Sequence, residues 1–129
     1  MAGELILMIE DNPLNAKLVR DVFVAIGYQL IESTTAEEGL SLARERKPAL
    51  ILMDIRLPGM DGMTALGKLK GDAATRDILV IAVTASVMPQ EREDVLAAGF
   101  DGYQAKPISV KDLLKEVRTL LDRTTRDAP

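Results

Sequence analysis

Acidic side chains follow two apolar segments of this chain, and they could bind a cation or act as nucleophiles. Glu10 and Asp11 come directly after the first apolar run, and Asp54 ends the run ILMD. A buried carboxylate without a partner is costly, so such a group is normally paired, bound to a metal or used in chemistry. Thr84 and Lys106 also follow apolar runs and could complete the same site.

These side chains are suited to metal-assisted phosphoryl transfer. Three carboxylates placed close together repel one another unless a cation lies among them. Oxygen ligands without histidine or cysteine favour Mg²⁺, which takes one or two carboxylates and keeps several waters. Asp54 could then attack a phosphoryl group and become an acyl phosphate. The metal and Lys106 would neutralise the phosphoryl oxygens, and Thr84 would donate a hydrogen bond to one of them.

Composition excludes several other kinds of site. The chain has 129 residues, which fits one domain, and a net charge of -4, which argues against nucleic-acid binding. It has no histidine and no cysteine, so histidine-based triads, the common zinc sites and thiol nucleophiles are excluded. Neither a signal peptide nor a membrane-spanning segment is evident. We therefore expect a cytoplasmic protein that does not insert into membranes.

The acidic clusters can meet only if the elements before them are neighbouring strands. Short runs rich in Ile, Val and Leu predict strands that are buried on both faces of a parallel sheet. The runs are residues 5–9, 30–31, 50–53, 78–83 and a weaker 102–105. In open sheets of this type the functional crevice lies outside the carboxyl ends of the strands.

Amphipathic segments between the runs predict five helices with recognisable ends. Capping residues or proline mark the helix starts; these are Asn12, Thr35, Asp61, Pro89 and Ser109. In the first helix the predicted apolar stripe is Leu14, Leu18, Val22 and Ile26, widened by Val19 and Phe23. The charged run at residues 90–95 is interpreted as a solvated helical face. The alternating order predicts a doubly wound α/β fold with right-handed crossovers.

Four short motifs, in order, resemble the receiver domain of bacterial two-component response regulators. They are EDN after the first strand, DIRLPGMDG around Asp54, VTA around Thr84 and AKP around Lys106. The resemblance covers residues 4–122, which are taken as the receiver domain, and leaves 123–129 as a frayed tail. It implies a flavodoxin-like five-stranded parallel sheet of order 2-1-3-4-5 with five helices. The stretches EDNPLNAKL and KPISVKDLL resemble, in particular, a single-domain cell-cycle regulator of this family.

The resemblance also implies roles for individual residues. Asp54 would accept a phosphoryl group from a phosphohistidine on a sensor histidine kinase or a histidine phosphotransfer protein. Mg²⁺ would be held by Asp11 directly, by Glu10 largely through water, by Asp54 and by the backbone carbonyl of Arg56. Lys106 would pair with Asp54 and then with the phosphoryl group, and the Lys106-Pro107 bond would be cis.

The remaining implied roles concern switching. Thr84 would be the switch hydroxyl and Tyr103 the switch aromatic, while Arg56 and Ser86 would tune the lifetime of the phosphoryl group. The surface of helix four, strand five and helix five would then be read by another protein, in cell-cycle or developmental signalling. The chain would be a phosphoacceptor that catalyses only its own phosphoryl uptake and loss.

Other classes of protein with a related fold or a similar set of acids fit this sequence less well. A haloacid dehalogenase-type phosphatase needs a second aspartate where Arg56 stands, and a flavodoxin needs a Ser/Thr/Gly-rich loop where EDNPLN is acidic. A Toprim-type enzyme needs an Asp-x-Asp pair, and a pseudo-receiver would have lost key positions that are intact here. Taken singly, Asp54 fits a turn or cap residue, and Glu10 with Asp11 could simply favour the positive end of a helix.

Overall fold

The computed structural model describes residues 3–57, 59–85 and 89–127. Within these ranges the strands are β1 (Leu5–Ile9), β2 (Gln29–Ser33), β3 (Leu50–Asp54), β4 (Leu79–Thr84) and β5 (Gly102–Ala105). The helices are α1 (Pro13–Ile26), α2 (Ala36–Arg46), α3 (Gly62–Lys70), α4 (Pro89–Ala98) and α5 (Val110–Asp127). Pro58 in the DIRLPGMDG motif, Ser86 and the last two residues of the predicted tail lie outside the described residues.

The sheet has five parallel strands in the order β2-β1-β3-β4-β5, which confirms the predicted fold class. Ile9 of β1 lies opposite Met53 of β3, so Glu10 and Asp54 follow at the same level of neighbouring strands. Thr84 lies opposite the last residue of β5, directly before Lys106. The register therefore places all the predicted polar groups along one edge of the sheet.

Helices cover both faces of the sheet and create two apolar cores. One core joins the sheet to α1 and α5, and the other joins it to α2, α3 and α4. Strand β3 runs between the two cores and is buried along its whole length, from Leu50 to Asp54. Asp54 is therefore carried on the most enclosed strand, whose packing restricts its movement.

The helix ends follow the capping signals of the sequence. The Asn12 side chain accepts hydrogen bonds from the N–H groups of Leu14 and Asn15, and Thr35 accepts one from Glu38. Gly27 ends α1 in the left-handed conformation, with φ of 114°. Helix α5 extends to Asp127 and so includes most of the segment that the sequence predicted as a frayed tail, residues 123–129.

The predicted apolar stripe of α1 is confirmed for Val19 and Phe23 and wrong for three other members, which are exposed. The buried residues of α1 are Ala16, Val19 and Phe23. Leu14 is 77% exposed, Leu18 is 42% exposed and Ile26 is 48% exposed. The apolar surface of α1 is wider than the face that packs on the sheet, so part of it remains on the surface.

Two glycines of α3 offer a matched test of how this helix packs beneath the site. A Cβ on Gly62 would lie 2.7 Å from the Ile55 Cα and 3.1 Å from the Asp54 carbonyl oxygen, whereas a Cβ on Gly67 would meet nothing within 4 Å. We expect Gly62→Ala to lower the free energy of unfolding by about 1–3 kcal/mol, because backbone atoms must move. Gly67→Ala is expected to raise it by about 1 kcal/mol through helix propensity. Urea unfolding measures both, and equal effects would contradict the close approach of α3 to the end of β3.

Candidate functional site

A lysine and two carboxylates from three separate parts of the chain meet at the carboxyl edge of the sheet. The Lys106 Nζ donates to Asp54 Oδ2 at 2.9 Å and lies 3.1 Å from Glu10 Oε1. The side chains are largely enclosed, with 17% of Lys106 and 5% of each carboxylate exposed. These contacts confirm that the fold brings Glu10, Asp54 and Lys106 together.

Backbone groups fix the orientation of both buried carboxylates. The N–H of Arg56 donates to Asp54 Oδ1 at 2.9 Å, and the N–H of Asn12 donates to Glu10 Oε2 at 3.0 Å. Each donor lies two residues after its acceptor, in the loop that leaves the strand. Both oxygens of Asp54 are thus held, one by the backbone and one by Lys106.

The acidic cluster of Glu10, Asp11 and Asp54 has the composition of a divalent cation site. One carboxylate oxygen from each residue lies within 4.8 Å of the others, and Asp11 is exposed to solvent. Three negative charges and the positive charge of Lys106 leave a net charge of -2. The donors are hard oxygens, which suit Mg²⁺ better than softer metals.

The cluster opens into a cleft of about 570 Å³. Its walls are formed by Asp11, Asn12, Pro13, Leu14, Asp54, Arg56, Ala85 and Lys106. The cleft gives a group from outside the protein access to Asp54, although that residue is only 4% exposed.

The surroundings of Glu10 and Lys106 shift the pKa values of these two side chains. Burial raises the pKa of Glu10, and repulsion from Asp54 adds to this, outweighing the hydrogen bond from Asn12 and the attraction of Lys106. Burial alone would lower the pKa of Lys106, but hydrogen bonds and attraction from Asp54 and Glu10 outweigh it and raise the pKa. Lys106 therefore stays charged at neutral pH and offsets part of the acidic charge.

Thr84 lies at this edge of the sheet, but its hydroxyl is bound by α4. Thr84 is fully buried, and its Oγ1 donates to Glu91 Oε1 at 2.9 Å. The other carboxylate oxygen of Glu91 accepts from Arg56 Nη2 at 3.3 Å. The Thr84 hydroxyl therefore points to α4 in this structure, and its bond to a phosphoryl oxygen stays a prediction.

Glu91 is the residue that sequence reasoning missed. The run at residues 90–95 was interpreted as a solvated face, yet the Glu91 side chain is only 24% exposed and contacts two predicted site residues. No local signal distinguishes Glu91 from Glu93, which is exposed. Only the tertiary packing of α4 beside β4 determines that Glu91, and not Glu93, contacts the site.

Two further predictions concern β5 and the residues after it. Tyr103 is half-buried and packs against the core that contains α2, α3 and α4. Its burial and the nearby charge of Glu91 raise the pKa of its phenol. The Lys106-Pro107 bond is cis, as predicted. Among the helices that the structure describes, none is both long and apolar enough to cross a membrane.

Comparison of the sequence with known proteins gives consistent similarities. The family model described as the response regulator receiver domain matches residues 6–118. The polar-differentiation response regulator DivK of Brucella anthropi is 43% identical over 116 residues, which cover 90% of this chain and 94% of that protein. DivK of Brucella melitensis shows the same identity and coverage.

Solved structures show the same similarity in three dimensions. The receiver domain of a sensor histidine kinase from Pseudomonas aeruginosa is 32% identical, with a TM-score of 0.81 over 95% of this chain and 97% of that one. That structure has a magnesium ion coordinated in its active site cleft. A CheY-like receiver domain protein from Methanospirillum hungatei is 28% identical, with a TM-score of 0.89 over 98% of this chain and 100% of that one.

Proposed function

The chain belongs to the response regulator receiver family, and from this premise we propose that Asp54 accepts a phosphoryl group and thereby switches a protein-binding surface. One observation carries the proposal. The Asp54 carboxylate lies at the base of an open cleft, 2.9 Å from the Lys106 ammonium and beside two other acids. Within the proposed domain, residues 4–122, this is where an anionic phosphoryl group would find both a nucleophile and positive charge.

The phosphoryl donor would be a phosphohistidine of a sensor histidine kinase or a histidine phosphotransfer protein. An oxygen of Asp54 attacks the phosphorus, and the phosphorus–nitrogen bond of the donor breaks as the new oxygen–phosphorus bond forms. The electron pair of the broken bond stays on the donor imidazole, and Asp54 needs no deprotonation because it reacts as a carboxylate. The Lys106 ammonium pairs with Asp54 before the transfer, and after it the ammonium pairs with a phosphoryl oxygen.

The residues of the acidic cluster fit the magnesium ion that this chemistry uses. Glu10, Asp11 and Asp54 would hold Mg²⁺, together with the backbone carbonyl of Arg56. When bound, Mg²⁺ supplies positive charge that offsets the phosphoryl oxygens during transfer. The net charge of -2 in the cluster supports this assignment, because a divalent cation neutralises it.

Switching would begin at Thr84 and Tyr103. Phosphorylation adds about -1.5 to -2 charges and three strong hydrogen-bond acceptors. The Thr84 hydroxyl would donate to one of them, and Tyr103 would turn inward into the space that is vacated. The phosphoryl group need only bind one of two pre-existing states better. The changed surface of α4, β5 and α5 would be bound by a downstream protein.

Exposed apolar side chains beside the cleft support docking of a protein donor. Leu14 lines the cleft and is 77% exposed, and Leu18 lies one turn further along the same helix. Apolar side chains at this spacing form one continuous surface that a partner helix can cover. Because the relatives at 43% identity are polar-differentiation regulators, we place the signal in the cell cycle or development.

The test is phosphorylation by a small donor. Incubation with acetyl phosphate and Mg²⁺ is expected to add one phosphoryl group, seen by intact mass, and EDTA should prevent the addition. The adduct should be lost in hydroxylamine, which cleaves acyl phosphates but leaves phosphoserine and phosphothreonine intact. Reduction with borohydride followed by peptide mapping should locate it at Asp54. An adduct that resists hydroxylamine, or none at all, would overturn the proposal.

A further inference from the structure

We propose that Glu91 is a positioning residue that holds Thr84 in the unphosphorylated arrangement, so that a phosphoryl group on Asp54 must compete with the Glu91 carboxylate for the Thr84 hydroxyl. The inference rests on the proposed function and deepens it. Glu91 would set how readily the protein switches, although it is neither a member of the acidic cluster nor the nucleophile.

Glu91 connects the first turn of α4 to the two loops that flank the cleft. Its Oε1 accepts from Thr84 at the end of β4, and its Oε2 accepts from Arg56 just after β3. The side chain of Glu91 is 24% exposed, whereas that of Arg56 is 64% exposed. Hydrogen bonds to an ionised acceptor are stronger than those between neutral groups, and partial burial strengthens them further. The contact with buried Thr84 is shorter than the contact with exposed Arg56, 2.9 Å against 3.3 Å, and is less screened by water, so we treat it as the stronger of the two.

The hydroxyl of Thr84 has one proton and can donate only one hydrogen bond. A bond from Thr84 to Glu91 and a bond from Thr84 to a phosphoryl oxygen are therefore mutually exclusive. Arg56 has several donors, but the new negative charge on Asp54 would attract its guanidinium away from Glu91 as well. Phosphorylation thus competes for both of the groups that Glu91 holds.

Release of Glu91 also explains how the signal would reach α4. Glu91 stands on the helix that forms part of the proposed switching surface, and its carboxylate is close enough to Tyr103 to raise the pKa of that phenol. When Thr84 leaves Glu91, the first turn of α4 loses this hydrogen bond to β4. Phosphorylation of Asp54 would in this way allow α4 to move.

The test compares affinities for a phosphoryl analogue. Beryllofluoride with Mg²⁺ is titrated by calorimetry into wild type, Glu91→Ala and Glu91→Gln. Because Glu91→Ala lacks the competing carboxylate, we expect it to bind beryllofluoride about 5- to 30-fold more tightly than wild type. This factor corresponds to a gain of about one or two kcal/mol in binding free energy. Glu91→Gln should show a smaller gain, because its amide oxygen still accepts from Thr84 as a neutral group.

Two controls separate positioning from a general effect on α4. Glu93→Ala removes an exposed acid from the same helix, one with no side-chain ion pair or hydrogen bond to any described residue, and should leave the affinity unchanged. In a Thr84→Val background, which lacks the hydroxyl, Glu91→Ala should gain much less affinity than in wild type, because only the contact with Arg56 is then released. Unchanged affinity in Glu91→Ala, or an equal gain in the Thr84→Val background, overturns the inference. Failure of wild type to bind the analogue would instead overturn the proposed function on which it rests.

Discussion

Replacing Lys106 with methionine is expected to lower the free energy of unfolding by about 3 kcal/mol in the absence of Mg²⁺. The lysine is the positive partner of both buried carboxylates, at 2.9 Å from Asp54 and 3.1 Å from Glu10. Methionine keeps the length of the side chain but removes the charge, so two enclosed acids are left facing each other. Breaking a buried ion pair by removing one partner is costly because the remaining charge is uncompensated.

Added Mg²⁺ should recover much of this loss. Without the lysine the cluster carries a net charge of -3 instead of -2, so the cation binds more strongly and stabilises the variant more than wild type. Denaturant unfolding with and without Mg²⁺ measures this difference in stability. Labelling of Lys106→Met by acetyl phosphate should also be much slower than labelling of wild type, because no ammonium group offsets the charge of the phosphoryl oxygens. Lys111→Met, at an exposed position of α5, is the matched control. If Lys106→Met unfolds like Lys111→Met, the ion pair does not stabilise this fold.

The sequence predicted the element order because its signals are local. Asn12 with Pro13, Thr35 with Glu38, and Gly27 each act on backbone groups within a few residues, so their effect does not depend on the rest of the fold. The acids at the strand ends were equally accessible to reasoning. Once the strands are parallel and the order is 2-1-3-4-5, Glu10 and Asp54 must be neighbours.

The position of the α1 stripe could not be read from periodicity. Residues four apart drift around a helix of 3.6 residues per turn, and α1 has apolar residues on more than one row. Which row is buried depends on the angle at which α1 packs on the sheet. The buried row contains Ala16, Val19 and Phe23. The row with Leu14 and Leu18 was left on the surface, where the proposed donor would dock.

The bond between Thr84 and Glu91 was hidden for a related reason. A hydroxyl at a strand end can donate to whichever acceptor the fold brings near, and the acceptor here comes from a helix that begins five residues later. Charge patterns describe helix faces, not individual tertiary contacts. The sequence could therefore place Thr84 near the site, but it could not show which group holds it.

Asp54→Asn is expected to abolish the phosphoryl adduct completely, because an amide cannot act as the nucleophile that a carboxylate provides. The asparagine oxygen can still accept from the Arg56 N–H, and Glu10 still pairs with Lys106, so the variant should remain folded by circular dichroism. The cluster would fall to a net charge of -1, and the affinity for Mg²⁺ should drop by roughly tenfold or more through lost attraction.

The matched control for Asp54→Asn is Asp77→Asn, which makes the same change in charge at an exposed position before β4. Labelling with acetyl phosphate, followed by intact mass, should give full modification of the control and none of Asp54→Asn. Calorimetric titration with Mg²⁺ should show the loss of affinity in Asp54→Asn alone. A persistent adduct in Asp54→Asn would mean that another side chain accepts the phosphoryl group. The contacts that orient Asp54 would then have only a structural role.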